Sequence, residues 1–138
     1  MSVKIQSVVI SAGGLGSRLS ELYTDIPKAL VPVFNKPILL DQIHKLVSQG
    51  IKNFIFFLCY KSEKIEEVIS EFFEKNQINL TYKIIIEDEP LGSGGGLIEY
   101  YELLPEKFIF IYCDIFFDFD FNEFVNFHIM NNGDLTIF

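Results

Sequence analysis

Short apolar runs alternate along this chain with apolar stripes of helical spacing. The first run, within Val3 to Ser11, carries Ile5, Val8, Val9 and Ile10 and stops at Gly13 and Gly14, the pattern of a buried strand ended by a turn. Leu15 to Tyr23 suits a short helix, and Asp25 to Lys36, with Pro27 and Pro32, reads as an irregular loop. Pro37 fits the first turn of the next helix. Ile43, Leu46 and Val47 give that helix its apolar face, and Gly50 stands where a left-handed residue would close it.

Phe54 to Cys59 is a continuous apolar strand. Ser62 is positioned to cap a helix in which Ile65, Val68, Ile69, Phe72 and Phe73 fall at i, i+3, i+4, i+7 and i+8. Leu80 to Glu87 reads as a strand, Gly92 to Gly96 as a turn, Leu97 to Leu104 as a helix stopped by Pro105, and Phe108 to Cys113 as another strand. Asp120 followed by Glu123 predicts a capped helix running to about Met130, with Gly133 beyond its end, and Leu135 to Phe138 begins a further strand. Strands that alternate with helices and are apolar on both faces predict a doubly wound α/β domain, a mostly parallel sheet covered on both sides. Ligands bind such sheets outside the carboxyl ends of the strands, so the residues following Ser11, Glu87 and Cys113 are expected to converge on one crevice.

A chain of 138 residues predicts one core, and 49% hydrophobic residues with 15 Phe exclude a disordered segment. The net charge of −8, with the 11 Lys and Arg scattered, argues against a general nucleic-acid surface. An anionic ligand must therefore be held locally. Cys59 and Cys113 each end an apolar run and read as buried thiols of a reducing compartment rather than a disulfide, and no zinc spacing is present. The opening segment lacks the cationic start and cleavage pattern of a signal peptide, and no run approaches the roughly 20 apolar residues of a membrane span. A cytoplasmic protein without membrane partners is the expectation.

Ala12-Gly13-Gly14-Leu15-Gly16-Ser17-Arg18-Leu19 joins the first strand to the predicted helix. Glycines there let backbone N–H groups approach a phosphate at the positive end of a helix, and Arg18 adds a forked cation. Alone, the segment is equally compatible with an ordinary tight turn. It is not a P-loop, and Leu19 stands where the third glycine of a dinucleotide fingerprint would fall.

Pro27-Lys28-Ala29-Leu30-Val31-Pro32-Val33 follows, and then Lys36-Pro37-Ile38-Leu39. With the glycine loop these resemble, in order and spacing, the AGGxGSRL, PKxLxPV and KPxL elements of the sugar-1-phosphate nucleotidyltransferases. Glu87-Asp88-Glu89-Pro90-Leu91-Gly92-Ser93-Gly94-Gly95 resembles that family's E-x-x-P-L-G-T-x-G nucleoside loop, with Ser for Thr. Tyr112-Cys113-Asp114 stands where the family has a strand ending in a metal-binding Asp, usually as Gly-Asp. Within the family the chain resembles the heptose- and mannose-1-phosphate guanylyltransferases.

The resemblance implies that residues 1–138 are the nucleotide-binding part of such an enzyme, without its C-terminal sugar-binding part. The implied reaction joins a nucleoside triphosphate to a sugar 1-phosphate and releases pyrophosphate, with Mg²⁺ as cofactor. The attacking phosphate is already an anion, so positioning and charge neutralisation suffice without a strong base. Arg18 is then expected to hold the β and γ phosphates and Lys28 the α-phosphate. Ala12, Gly13, Gly14, Gly16 and Ser17 would line the nucleotide, Glu87 would face the base with Gly92 and Ser93 beside it, and Asp114 would bind Mg²⁺. Because Glu87 offers only acceptors, GTP is favoured over UTP or CTP. The bland alternatives are solvated surface charge for Arg18 and Lys28, and a strand-ending charge for Glu87. Two functional alternatives stay open: a nucleotide-binding or regulatory module without catalysis, and a subunit completed by a partner or a second copy. His44 and His128 are expected on helix surfaces, Asp118 in a loop and Asp120 at a helix cap.

Overall fold

The computed structural model describes residues 4–14, 25–76 and 79–137. Its elements in chain order are β1 (Ser7–Ser11), the paired β2 (Pro32–Val33) and β3 (Lys36–Pro37), α1 (Ile38–Ser48), β4 (Asn53–Leu58) and α2 (Ser62–Lys75). There follow β5 (Thr81–Ile86), α3 (Gly95–Glu99), β6 (Ile109–Tyr112) and α4 (Phe121–Met130). The predicted helix over Leu15 to Tyr23 lies outside the described residues.

Four strands form one parallel sheet in the order β5-β4-β1-β6. Central β1 sets Val9 against Ile55 on one side and Phe110 on the other. Because side chains alternate along a strand, each strand feeds two cores. Val8, Ile10, Phe54, Phe56, Leu58, Ile109 and Ile111 pack with residues of α1, α2 and α4. Val9, Ile55, Phe57 and Ile85 pack on the opposite face with Leu97, Tyr100 and Leu104, around α3. The sheet is covered on both sides, as the pattern predicts. The chain winds outward from β1 to β4 and β5, then crosses back to place β6 on β1's other side, which puts a topological switch point between β1 and β6.

The Schellman pattern closes α1. Gly50 has φ 93°, its N–H donates to the Val47 carbonyl at 3.0 Å, and the Ile51 N–H donates to the Leu46 carbonyl at 3.0 Å. The predicted apolar face of α2 is present, with Ile65, Ile69, Phe72 and Phe73 buried and Val68 half-buried.

Four expectations need correction. The segment 25–36 is more ordered than two prolines suggest: Lys28–Leu30 form a 3-10 turn, and Phe34 and Asn35, at φ 50° and 65°, close the hairpin β2–β3. Positive φ at both central residues matches the twist of a two-residue hairpin, and a two-residue strand asks little of the N–H that proline lacks. Ser62 does not cap α2; it is the first helical residue, and left-handed Lys61 precedes it with no side-chain cap. The helix predicted over Leu97 to Leu104 is one α-turn followed by a 3-10 turn at Tyr101–Leu103. Residues 135–137 form no strand; His128 Nδ1 and Thr136 Oγ1 lie 2.8 Å apart and hold this segment back against α4.

Asp120 caps α4 as predicted, Oδ1 accepting from the Asn122 N–H at 2.8 Å. His44 is exposed on α1 and lies edge-on to Phe72, whereas His128 is half-buried. Both cysteines are free thiols, Cys113 buried and Cys59 half-buried.

Candidate active site

The carboxyl ends of the strands carry Ala12, Gly13, Gly14, Glu87 and Asp114. β1 continues its pairing one residue past the strand, the Ala12 N–H donating to the Phe57 carbonyl at 2.8 Å. Ala12 and Gly13 are buried there, and Gly14 is exposed. A Cβ at Gly13 would stand 3.1 Å from Cβ of Cys59 and 3.1 Å from Oε2 of Glu87, so the bare backbone lets β1 close on its neighbours. Gly16, Ser17 and Arg18 lie outside the described residues.

Glu87 is 7% exposed, and its N–H extends the β4–β5 pairing by donating to the Leu58 carbonyl at 2.7 Å. Its other oxygen faces Gly96, where an added Cβ would stand 2.5 Å from Oε1 and 2.9 Å from the Phe57 ring. One carboxylate thus lies between the end of β1 and the start of α3. Burial pushes its pKa up, opposed by a hydrogen bond from the Leu91 backbone N–H. The Cys59 thiol is also pushed up, first by burial and then by the negative charges of Glu87, Asp88 and Glu89. Gly92 is exposed, with nothing among the described residues within 4 Å of a Cβ placed there, and its φ of 75° serves the turn. Ser93 is held from across the crevice, where the Tyr112 hydroxyl donates to its carbonyl at 2.5 Å.

At the end of β6, Lys28 and Asp114 form an ion pair, their side chains 31% and 39% exposed. Lys28 comes from the 3-10 turn behind buried Pro27, and Asp114 from a turn in which the Ile115 N–H donates to the Tyr112 carbonyl at 3.3 Å. Beneath them the Cys113 thiol is pushed up to about 12, by burial first and then by Asp114, with Lys28 pulling it down. Such a thiol stays protonated and inert.

Two groups therefore form, Gly13 with Glu87 and Gly96, and Lys28 with Asp114. They are linked through the adjacent ends of β1 and β6, where the Cys113 N–H donates to the Ser11 carbonyl at 3.0 Å. Gly14 faces solvent, and Gly92 and Ser93 lie on an exposed turn. Among the described residues no group of three or more His, Cys, Asp or Glu is placed to hold a metal ion. A single accessible carboxylate still fits Mg²⁺, which takes one or two protein carboxylates and completes its shell with phosphate and water oxygens. Pattern reading missed Gln42, a buried amide under the Asp114 turn. Its signal is a polar residue inside the apolar stripe Leu39, Gln42, Ile43, Leu46.

Residues 7–138 match the family model for nucleotidyl transferases. This chain belongs to the nucleotidyl transferase family. A mannose-1-phosphate guanyltransferase of Yarrowia lipolytica is 35% identical over 132 residues, which cover 94% of this chain and 36% of that protein. A D-glycero-alpha-D-manno-heptose 1-phosphate guanylyltransferase of Campylobacter jejuni is 37% identical over 115 residues, covering 83% of this chain and 50% of the relative. The crystal structure of HddC from Yersinia pseudotuberculosis complexed with GMP-PN superposes with a TM-score of 0.75 at 35% identity, over 91% of this chain and 55% of that one. This nucleotidyl transferase chain thus spans 36% to 55% of the length of these relatives. No helix among its described residues is long and apolar enough to cross a membrane.

Proposed function

We propose that this chain forms the nucleotide-binding part of a sugar-1-phosphate guanylyltransferase. In the reaction a phosphate oxygen of the sugar 1-phosphate bonds to the α-phosphorus of GTP, the bond from that phosphorus to the bridging oxygen breaks, and pyrophosphate leaves with the electron pair. The observation that carries the reading is the meeting of Lys28 and Asp114 at the end of β6, beside the β1 end that bears Gly13 and Gly14. A cation and a carboxylate at a switch point suit a polyphosphate, which needs its charge offset more than it needs a base.

Lys28 neutralises charge on the phosphoryl group being transferred, and Arg18 grips the β and γ phosphates. The backbone at Ala12, Gly13, Gly14, Gly16 and Ser17 lines the nucleotide. Glu87 supplies acceptors for the N1–H and N2–H₂ edge of guanine, with Gly92 and Ser93 closing over the nucleoside. Asp114 is the residue that would hold Mg²⁺, with triphosphate and water oxygens completing the shell, and the ion would offset charge on the α-phosphate. The guanylyltransferase names of the relatives and the GMP-PN bound to HddC support GTP as the nucleotide.

The test is calorimetric titration of the chain with GTP, UTP and CTP in Mg²⁺, beside pyrophosphate release with mannose 1-phosphate and a heptose 1-phosphate. GTP is expected to bind most tightly. Tighter UTP binding sinks the guanine assignment, and GTP binding in a full-length protein that never releases pyrophosphate identifies a non-catalytic nucleotide module.

A further inference from the structure

Residues 113–120, between β6 and α4, form neither helix nor strand, so their backbone groups need partners from elsewhere. Gln42 and Lys45 of α1 and Gln49 at its C-cap supply them, spaced i, i+3 and i+7. Gln42 Nε2 donates to the Tyr112 carbonyl at 2.9 Å and to the Ile115 carbonyl at 2.6 Å. Lys45 Nζ donates to the Phe117 carbonyl at 3.0 Å. Gln49 Nε2 donates to the Phe119 carbonyl at 3.1 Å, and its Oε1 accepts from the Phe121 N–H at 2.6 Å.

Gln42 differs from the other two. It is 1% exposed, its two acceptors bracket Cys113 and Asp114, and its own Oε1 is buried with no hydrogen-bond partner among the described residues. Both partners are carbonyls, which fixes the amide with its N–H₂ towards them. A Met or Leu at this position of the apolar stripe would fill the space and remove the unpaired Oε1, but it would also withdraw both donors from the turn. What the amide alone supplies is a pair of donors that pins the carbonyls on either side of Asp114. We infer that Gln42 is a positioning residue for Asp114, fixing the Tyr112–Ile115 turn so that the carboxylate is held where it meets Lys28. Groups that orient a metal-binding carboxylate are worth about 10–100-fold in metal affinity or activity. The inference rests on the reading of Asp114 as the Mg²⁺ residue.

Calorimetry of the 138-residue chain with GTP, in Mg²⁺ and again in EDTA, tests it on the unmodified protein, Gln42→Met and Gln49→Met. Gln49→Met is the matched control, because it also removes two side-chain bonds from this segment, but away from Asp114. In Gln42→Met the gain in GTP affinity brought by Mg²⁺ is expected to fall about tenfold or more, while affinity in EDTA changes less than about twofold. Gln49→Met is expected to leave both unchanged. Equal losses in the two variants, or a loss in EDTA as large as in Mg²⁺, overturn the inference and leave Gln42 a packing residue. If the unmodified chain shows no gain from Mg²⁺, the assignment of Asp114 fails and this inference with it. Should Gln42→Met melt below the assay temperature, Gln42→Asn, which withdraws the amide by one methylene, carries the same expectation.

Discussion

Lys28 and Asp114, distant in sequence, meet as an ion pair at the end of β6. Each side chain is about a third exposed, and an exposed pair of this kind contributes about 0–1 kcal/mol to stability. Lys28→Ala should therefore barely move the melting temperature. In the proposed reaction its charge is aimed at a phosphoryl group in transfer, where loss of one stabilising contact costs about 10²–10³ in kcat, with a smaller effect on nucleotide affinity. Turnover near normal in Lys28→Ala removes this residue from the mechanism.

Much of this arrangement is legible from sequence, and the exceptions have physical causes. The buried strands announce themselves as apolar runs because both faces of a covered parallel sheet are dry. The hairpin at Phe34 and Asn35 escapes because its prolines read as loop residues, yet two-residue strands hardly use the N–H they lack. Leu135 to Ile137 has strand composition, but the His128–Thr136 contact draws it towards α4. Lys28 and Asp114 are picked out singly by family-like motifs, whereas their pairing depends on β6 returning to β1, which no local pattern encodes. Gln42 could have been noticed as a polar residue in an apolar stripe; which turn it holds could not.

The proposed base contact of Glu87 and the pH dependence of its burial can be tested in one variant. Burial raises its pKa, with the Leu91 N–H opposing. Between the ordinary carboxyl value and the raised one, the folded state keeps a proton that the unfolded state has released, so stability falls as pH rises through that interval. Glu87→Gln should remove this slope in denaturant titrations at a series of pH values. In the same variant GTP affinity should fall about 10–100-fold, the worth of hydrogen bonds to a charged acceptor. ITP lacks the guanine 2-amino group, so the GTP-to-ITP affinity ratio should shrink as well. An unchanged ratio with both affinities reduced would assign Glu87 to holding Gly13 and Gly96 in place rather than to the base.

Tyr112 ties the end of β6 to the loop after β5 through the Ser93 carbonyl. A neutral hydrogen bond contributes about 0.5–1.5 kcal/mol, so Tyr112→Phe should weaken GTP binding by about 2–10-fold. Amide hydrogen exchange over residues 91–96 should quicken in the same variant, since the loop loses its anchor on the far side of the crevice. Unaltered exchange in that loop counts against the tether.

The glycines of the crevice separate packing from ligand approach. A methyl group at Gly96 would meet Oε1 of Glu87 at 2.5 Å and the Phe57 ring at 2.9 Å, and the ring is part of the core around Val9. Gly96→Ala should cost about 1–3 kcal/mol of stability, the usual penalty for overpacking a close contact. Gly14 is the opposite case, exposed and, among the described residues, with nothing within 4 Å of an added Cβ, so the described fold gives no reason for a glycine. A phosphate drawn onto the backbone beyond β1 would give one, because a side chain there stands between the N–H groups and the anion. Gly14→Ala should then melt at nearly the same temperature as the unmodified chain while binding GTP more weakly, with the free nucleoside guanosine affected less than the triphosphate. The decisive measurement is the pair of affinities in Gly14→Ala: undiminished GTP binding would move the triphosphate away from the end of β1 and leave this glycine unexplained.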